Sequence, residues 1–158
     1  MRRLLVAAAA MVLAVAAIPA LADSEPETIV RSIYQAYGPE TEPDNPHDAY
    51  FSPKLLNLWK EVDEGGKGDV EYSIDFDVFL DAQDIDTVTD IVTKLTDDGP
   101  DKAHVDVTYT AFGEQRASTY DFISTDAGWK IDNIEWGADR DDLRKLLTQL
   151  RADQRKSR

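Results

Sequence analysis

Three segments of the chain carry apolar residues at the spacing of an amphipathic helix. The first pattern stops at Gly38 and Pro39, and the second begins at Ser52, a predicted N-cap, followed by Pro53. The third lies near the C-terminus, where Asp139 or a neighbouring residue is the predicted N-cap. The three apolar stripes are Val30, Ile33, Tyr34 and Tyr37; Leu55, Leu58, Trp59 and Val62; and Leu143, Leu146, Leu147 and Leu150.

Between the second and third stripes the apolar period becomes two, which is typical of β-strands. Turns that contain glycine separate the predicted strands, which are 87–95, 103–111, 115–123 and 129–136. In the last strand, simple alternation puts Trp129 and Ile131 on one face of the sheet but Ile134 and Trp136 on the other. This change of phase predicts a β-bulge near residues 132–133.

The order of these elements predicts an α+β fold. Its N-terminal amphipathic helices would pack on a curved four-stranded antiparallel sheet, with a C-terminal helix after the last strand. A parallel sheet would need a long crossover between strands, and the segment 87–136 offers only short turns. No repeat or linker divides residues 23–158, so they are predicted to form a single domain.

The first 22 residues have the pattern of a signal peptide. Arg2 and Arg3 precede an uncharged apolar run at residues 4–18, and residues 20–22 form a small-x-small cleavage site. The run is shorter than the about 20 residues that a bilayer span requires. We therefore expect secretion, to the periplasm if the source is a Gram-negative bacterium, with no membrane attachment after cleavage.

The chain is strongly acidic and has no cysteine, with 31 acidic and 17 basic residues and a formal charge of −14 at pH 7. Loss of Arg2 and Arg3 with the signal peptide would take this charge from −14 to −16. Such a surface repels phosphate, so neither nucleic acid nor an anionic membrane is an expected partner, whereas a basic protein is favoured. The lack of thiols excludes disulfides and cysteine-based catalysis.

Three segments carry recognisable motifs: residues 50–56 (YFSPKLL), residues 75–84 with the pattern Asp-Phe-Asp-x-Phe-x-x-Ala-Gln-Asp, and residues 128–134 with Gly-Trp-Lys-Ile-Asp-x-Ile. In these segments the chain resembles a family of exported bacterial proteins, domain-of-unknown-function family number 3828. The third segment is also similar to the last strand of nuclear-transport-factor-2-like, or cystatin-like, domains. The resemblance implies the α+β roll of those domains, and it implies no particular activity.

The candidate binding site comes from polar and aromatic residues of the same segments. In a roll, the sheet and the helices enclose a cone, and polar side chains facing it mark a ligand pocket. The candidate ligand-binding residues are Tyr50, Asp77, Gln83, Asp84 and Trp129. We predict no cofactor, no metal site and no catalytic residue.

Three further interpretations of the polar residues stay open. Several of the aspartates between residues 75 and 86 could be turn and cap residues that precede the first strand. The aspartates at 75, 77, 81, 84 and 86 could bind a hard cation such as Ca²⁺, although they lack the spacing of a calcium loop. A carboxylate among them could instead act as a general base, with a tyrosine at position 34, 50 or 109 as hydrogen-bond donor to an oxyanion. The two histidines, His47 and His104, are expected at the surface or in caps.

Three functions are compatible with these features. The leading one is a non-catalytic binding domain, which takes an unknown small ligand in the cone or a protein on the open sheet face. The second is a cofactor-free isomerase or dehydratase that uses a pocket carboxylate. The third is an envelope interaction protein for a basic partner. Pairing of two copies into a homodimer through the sheet face is a further open alternative.

Overall fold

A computed structural model describes residues 25–39, 43–44, 46–66, 73–97, 99–137 and 142–157, and the predicted signal peptide lies outside these ranges. The elements are α1 (Glu25–Gln35), α2 (His47–Tyr50), α3 (Pro53–Gly65), β1 (Thr89–Asp97), β2 (Lys102–Ala111), β3 (Glu114–Thr125), β4 (Gly128–Trp136) and α4 (Leu143–Lys156). The fold is α+β, as predicted: helices, a four-stranded antiparallel sheet, and a C-terminal helix. None of the helices within the described ranges is long and apolar enough to cross a membrane.

The predicted helical stripes face the interior. All four apolar residues of the first stripe are at most 1 % exposed. Ser52 is the N-cap of α3, because its Oγ accepts a hydrogen bond from the Leu55 N–H at 3.1 Å. At α4 the cap is Asp142, whose carboxylate accepts from the Lys145 N–H at 2.8 Å. The candidate cap Asp139 lies outside the described residues.

The strands form a meander in the order β1-β2-β3-β4. In β4 the predicted bulge is present: Asp121 pairs with Asn133 and Phe122 pairs with Ile131, which leaves Asp132 as the extra residue. The bulge restores the phase of the strand, so Ile131 is buried on the same side as Ile134 and Trp136. β1 begins at Thr89, two residues later than predicted, and it has a register irregularity of its own before Val92.

Tyrosine rings occupy the space between α1 and the centre of the sheet. Tyr34, Tyr109 and Tyr120 are at most 1 % exposed, and the ring centroids of Tyr34 and Tyr109 are 4.4 Å apart. The Tyr120 hydroxyl donates to the Tyr34 hydroxyl at 3.0 Å, and the Tyr34 hydroxyl donates to the Phe79 carbonyl at 2.9 Å. Burial raises the pKa of all three phenols, so they remain protonated hydrogen-bond donors. The part of the predicted cone beneath α1 is thus packed with side chains.

The β4 bulge also fixes the start of α3 against the sheet. Phe51 forms a parallel bridge with Ile131, and the Ser52 N–H donates to the Ile131 carbonyl at 2.7 Å. The Ser52 hydroxyl donates to Asp132 Oδ1 at 2.6 Å, and the same oxygen accepts from the Arg144 guanidinium at 2.6 Å. These bonds connect α3, β4 and α4, and they fix the position of the short helix α2, which immediately precedes Phe51.

Candidate functional site

Asp77 organises a tight turn that packs against α1. Its Oδ1 accepts hydrogen bonds from the backbone N–H groups of Phe79 at 2.8 Å and Leu80 at 3.1 Å. Its Oδ2 accepts from the hydroxyl of the buried Tyr37 at 2.7 Å. The Asp77 N–H donates to the Ala82 carbonyl at 2.8 Å, which closes the turn. The carboxylate therefore holds residues 77–82 together, a turn role of the kind that the sequence allowed for several of these aspartates.

A surface recess of about 210 Å³ lies beside this turn. Its described lining includes His47, Trp59, Ile74, Phe76, Asp77 and Phe79. The His47 ring stacks on Phe51, with centroids 4.8 Å apart and an interplanar angle of 10°, and its centroid is 4.1 Å from that of Trp59. The recess is thus a concave surface on which four of the eight described lining residues are aromatic and one is a carboxylate. Such a mixture is typical of small-ligand sites.

His47 differs from the surface or cap residue that the sequence suggested. It lies in α2, half-buried among aromatic rings. Burial lowers its pKa, and the nearby carboxylates of Asp77 and Asp48 oppose that change only in part. The imidazole is therefore neutral at pH 7. Among the described lining residues, Asp77 is then the only one with a formal charge.

The five predicted site residues do not lie in one place. Asp77 lines the recess, and Tyr50 is its neighbour, with its ring 6.3 Å from that of Phe79. Gln83 and Asp84 are exposed. Trp129 is half-buried on β4, where it pairs with Ser124, and it is not among the described residues that line the recess. The structure thus brings together only Tyr50 and Asp77, and a binding role for any of the five stays a prediction.

The aspartates of the 75–86 segment have separate partners. Asp75 accepts a hydrogen bond from Gln83 at 3.2 Å, and Asp86 accepts from the Phe112 N–H. Within the described ranges, no three histidine or acidic side chains lie close enough together to hold a metal ion. Of the candidate oxyanion donors, the Tyr34 and Tyr109 hydroxyls donate to backbone carbonyls in the interior.

The sheet face opposite the helices is the second candidate surface. Its side chains alternate with the buried ones and are exposed or half-buried. His104 Nδ1 and Asp121 Oδ1 lie 2.6 Å apart, and the Thr119 hydroxyl donates to Asp106 at 2.9 Å. Partial burial raises the pKa of Glu135, and the negative charges of Asp121 and other nearby carboxylates raise it further. His104 therefore lies on the polar face where the alternation placed it, hydrogen-bonded among carboxylates.

Comparisons with known proteins give little further information. No family model matches the chain, and no curated protein matches it. Among solved structures, the chain is similar to the crystal structure of the type VI native effector-immunity complex Tae3-Tai3 from Ralstonia pickettii. The sequence identity is 20 % and the TM-score is 0.49, over 72 % of this chain and 93 % of that chain. A similarity at this level is no basis for inferring a function, and membership of family 3828 stays a prediction.

Proposed function

We propose that the protein is an exported, non-catalytic binding domain that docks a basic protein on the face of its sheet opposite the described helices. The observation that carries this proposal is the character of that face. It combines exposed carboxylates with a small apolar area, and the described helices pack on the other side of the sheet.

The charge distribution of the face supports a basic partner. Asp106, Asp121 and Glu135 lie on neighbouring strands. Partial burial raises the pKa of Glu135, the negative charges of Asp121, Asp142 and Asp106 raise it further, and His104 opposes the change. Lys94 lies on the edge strand β1, opposite Asp106. The other lysines of this face lie at one end of the sheet, and Lys130 donates to the Ala49 carbonyl. A cationic side chain from a partner would relieve the repulsion among the carboxylates.

An apolar area beside the carboxylates supports a protein partner rather than a small cation. Val92 is 61 % exposed, and it lies opposite Thr108, which in turn pairs with Ala117 on β3. Apolar contacts at the centre with charged groups around them are the usual anatomy of a protein interface. We therefore place the centre of the docking surface at Val92, Thr108 and Ala117, with the three carboxylates beside it.

The interior packing disfavours the alternative functions. A ligand in the cone would have to displace the hydrogen-bonded rings of Tyr34, Tyr109 and Tyr120. An isomerase-like mechanism also needs an oxyanion donor in the cone, and the Tyr34 and Tyr109 hydroxyls already donate to backbone carbonyls. Binding on an exterior surface requires neither displacement of these rings nor a donor from the interior.

The experiment compares two charge-reversal variants of the protein, produced from the full sequence in an exporting host. The face variant carries Asp106→Lys and Glu135→Lys. The matched control carries Asp63→Lys and Asp126→Lys, which change the net charge equally at exposed positions on α3 and in the β3-β4 turn. Each protein is immobilised, and the proteins that it captures from the envelope fraction are quantified by mass spectrometry.

We expect the wild type and the control to capture the same basic protein in equal amounts, and the face variant not to capture it. If the face variant captures the same proteins in the same amounts, the sheet face is not the docking surface. Sedimentation velocity on the purified wild type distinguishes self-association from binding of a different chain. If the wild type forms a dimer and the face variant does not, the partner of the sheet face is a second copy of this chain.

A further inference from the structure

We propose that the recess beside His47 is a binding site for an organic ammonium group, carried either by a small amine or by a lysine side chain. This inference is independent of the sheet-face proposal. It rests on a different surface, formed by α2, α3 and the Asp77 turn. Three properties of the lining support it: aromatic side chains, a fixed carboxylate, and the absence of a positive charge among the described lining residues.

Aromatic side chains make up half of the described lining of the recess. His47 lies 4.1 Å from Trp59 and 6.0 Å from Phe79, measured between ring centroids. Phe76 lies on the same recess, held by an edge contact with Trp136 at 5.6 Å. Aromatic faces attract cations through their quadrupoles, with about 0.5–2 kcal/mol per contact, and Trp is the strongest of them. A site that only needed to exclude water could be lined with aliphatic residues instead.

The Asp77 carboxylate provides the second part. A carboxylate has about four lone-pair positions, and Asp77 uses three of them for Tyr37, Phe79 and Leu80. These bonds orient the group and leave acceptor capacity for one further donor. An N–H donor of an ammonium ion could take that position, and a quaternary ammonium ion would be attracted by the negative charge alone. Folding already orders this carboxylate, so a ligand does not have to order it on binding.

The size and charge of the recess provide the third part. At about 210 Å³ it is larger than a cavity of about 150 Å³ that accommodates benzene, so a trimethylammonium group has room to enter. His47 is neutral at pH 7 because burial lowers its pKa, so the imidazole does not repel a cation there. An anion would meet the Asp77 charge with no described cationic lining residue to compensate it.

The test uses choline and its neutral isostere 3,3-dimethylbutan-1-ol as probes. Both are titrated into ¹⁵N-labelled protein at pH 7.5 and constant ionic strength, up to about 100 mM, which covers millimolar dissociation constants. The reporter is the indole N–H signal of Trp59, identified by its loss in Trp59→Phe. We expect a saturable shift with choline and binding of the neutral isostere that is about tenfold weaker or absent. Equal binding of the two probes would overturn the proposal.

Two variants separate the carboxylate from the fold. Asp77→Asn keeps an amide oxygen for the turn but removes the charge, and we expect it to weaken choline binding about tenfold. Asp75→Asn, an exposed neighbour outside the described lining, is the matched control and should bind as the wild type does. Unchanged binding in a folded Asp77→Asn would overturn the role of the charge. If that variant does not fold, the comparison of choline with its isostere decides alone.

A third probe, Nα-acetyl-lysine methylamide, distinguishes the two sources of the ammonium group. Binding about tenfold tighter than that of choline would assign the recess to a lysine of a partner protein, and the reverse order would assign it to a small amine. The absence of a saturable shift with both cations would overturn the site. Neither result bears on the sheet face, whose variants leave the recess intact.

Discussion

Replacement of Asp77 by alanine removes the acceptor of three hydrogen bonds at once. Two of the donors are backbone N–H groups of the turn, at Phe79 and Leu80, and the third is the hydroxyl of Tyr37, a residue that is 1 % exposed. Hydrogen bonds to charged groups contribute about 1.5–3 kcal/mol each, and because Asp77 is half-buried we take about 1 kcal/mol for each backbone bond. The lost acceptor of the buried hydroxyl adds about 1–3 kcal/mol.

The expected loss for Asp77→Ala is therefore about 3–5 kcal/mol of unfolding free energy. Urea unfolding followed by tryptophan fluorescence measures it, and the melting temperature should fall by about 10 °C or more. Two variants calibrate the result: Tyr37→Phe removes one bond and should cost about 1 kcal/mol, and the exposed Asp75→Ala should stay within about 0.5 kcal/mol of the wild type. A loss below about 0.5 kcal/mol in Asp77→Ala would refute the assignment of the turn to this carboxylate.

Three other changes test separate parts of the fold. Ser52→Ala removes the α3 cap and the bond to Asp132, so urea unfolding should show a loss of about 1–2 kcal/mol; an unchanged midpoint would contradict the cap. Gly65→Ala would place a methyl group 2.1 Å from Oε1 of the buried Gln154, so we expect a loss of about 1–2 kcal/mol of unfolding free energy. The double variant with Gln154→Ala should recover part of this loss, and additive losses would argue against the clash. The pKa of the His47 imidazole is lower in the folded state than in the unfolded chain. The unfolded chain therefore takes up a proton on His47 more readily, and this lowers the stability of the fold as the pH falls below about 6.5. Melting temperatures measured from pH 7.5 to 5 should therefore decline less in His47→Gln than in the wild type, and parallel curves would contradict this.

Local chemistry in the sequence accounts for most of the fold. The apolar stripes predicted the buried faces of α1 and α3, and the change of phase between Ile131 and Ile134 predicted the bulge. The short helix α2 was not predicted, because four residues show no apolar period. The start of β1 was placed two residues early, because the pattern does not reveal that pairing begins at Thr89 opposite Thr110.

The recess could not be predicted in the same way. His47, Trp59 and Phe79 are far apart in sequence, and they meet because the Phe51 bridge to the β4 bulge fixes the position of α2. One signal was available: an aspartate that can accept from the N–H groups two and three residues later is typical of an Asx turn, and Asp77 does this. The sequence allowed such a turn role for several of the aspartates at 75–86, but it did not single out Asp77.

If the acidic sheet face docks a basic protein, the rate at which the captured partner associates must depend on salt. We predict that this rate falls about tenfold or more between about 50 and 300 mM NaCl for the wild type and for the Asp63→Lys, Asp126→Lys control. The face variant, with Asp106→Lys and Glu135→Lys, should associate slowly at every salt concentration. A rate that is independent of salt, or equal in the two variants, would contradict the claim.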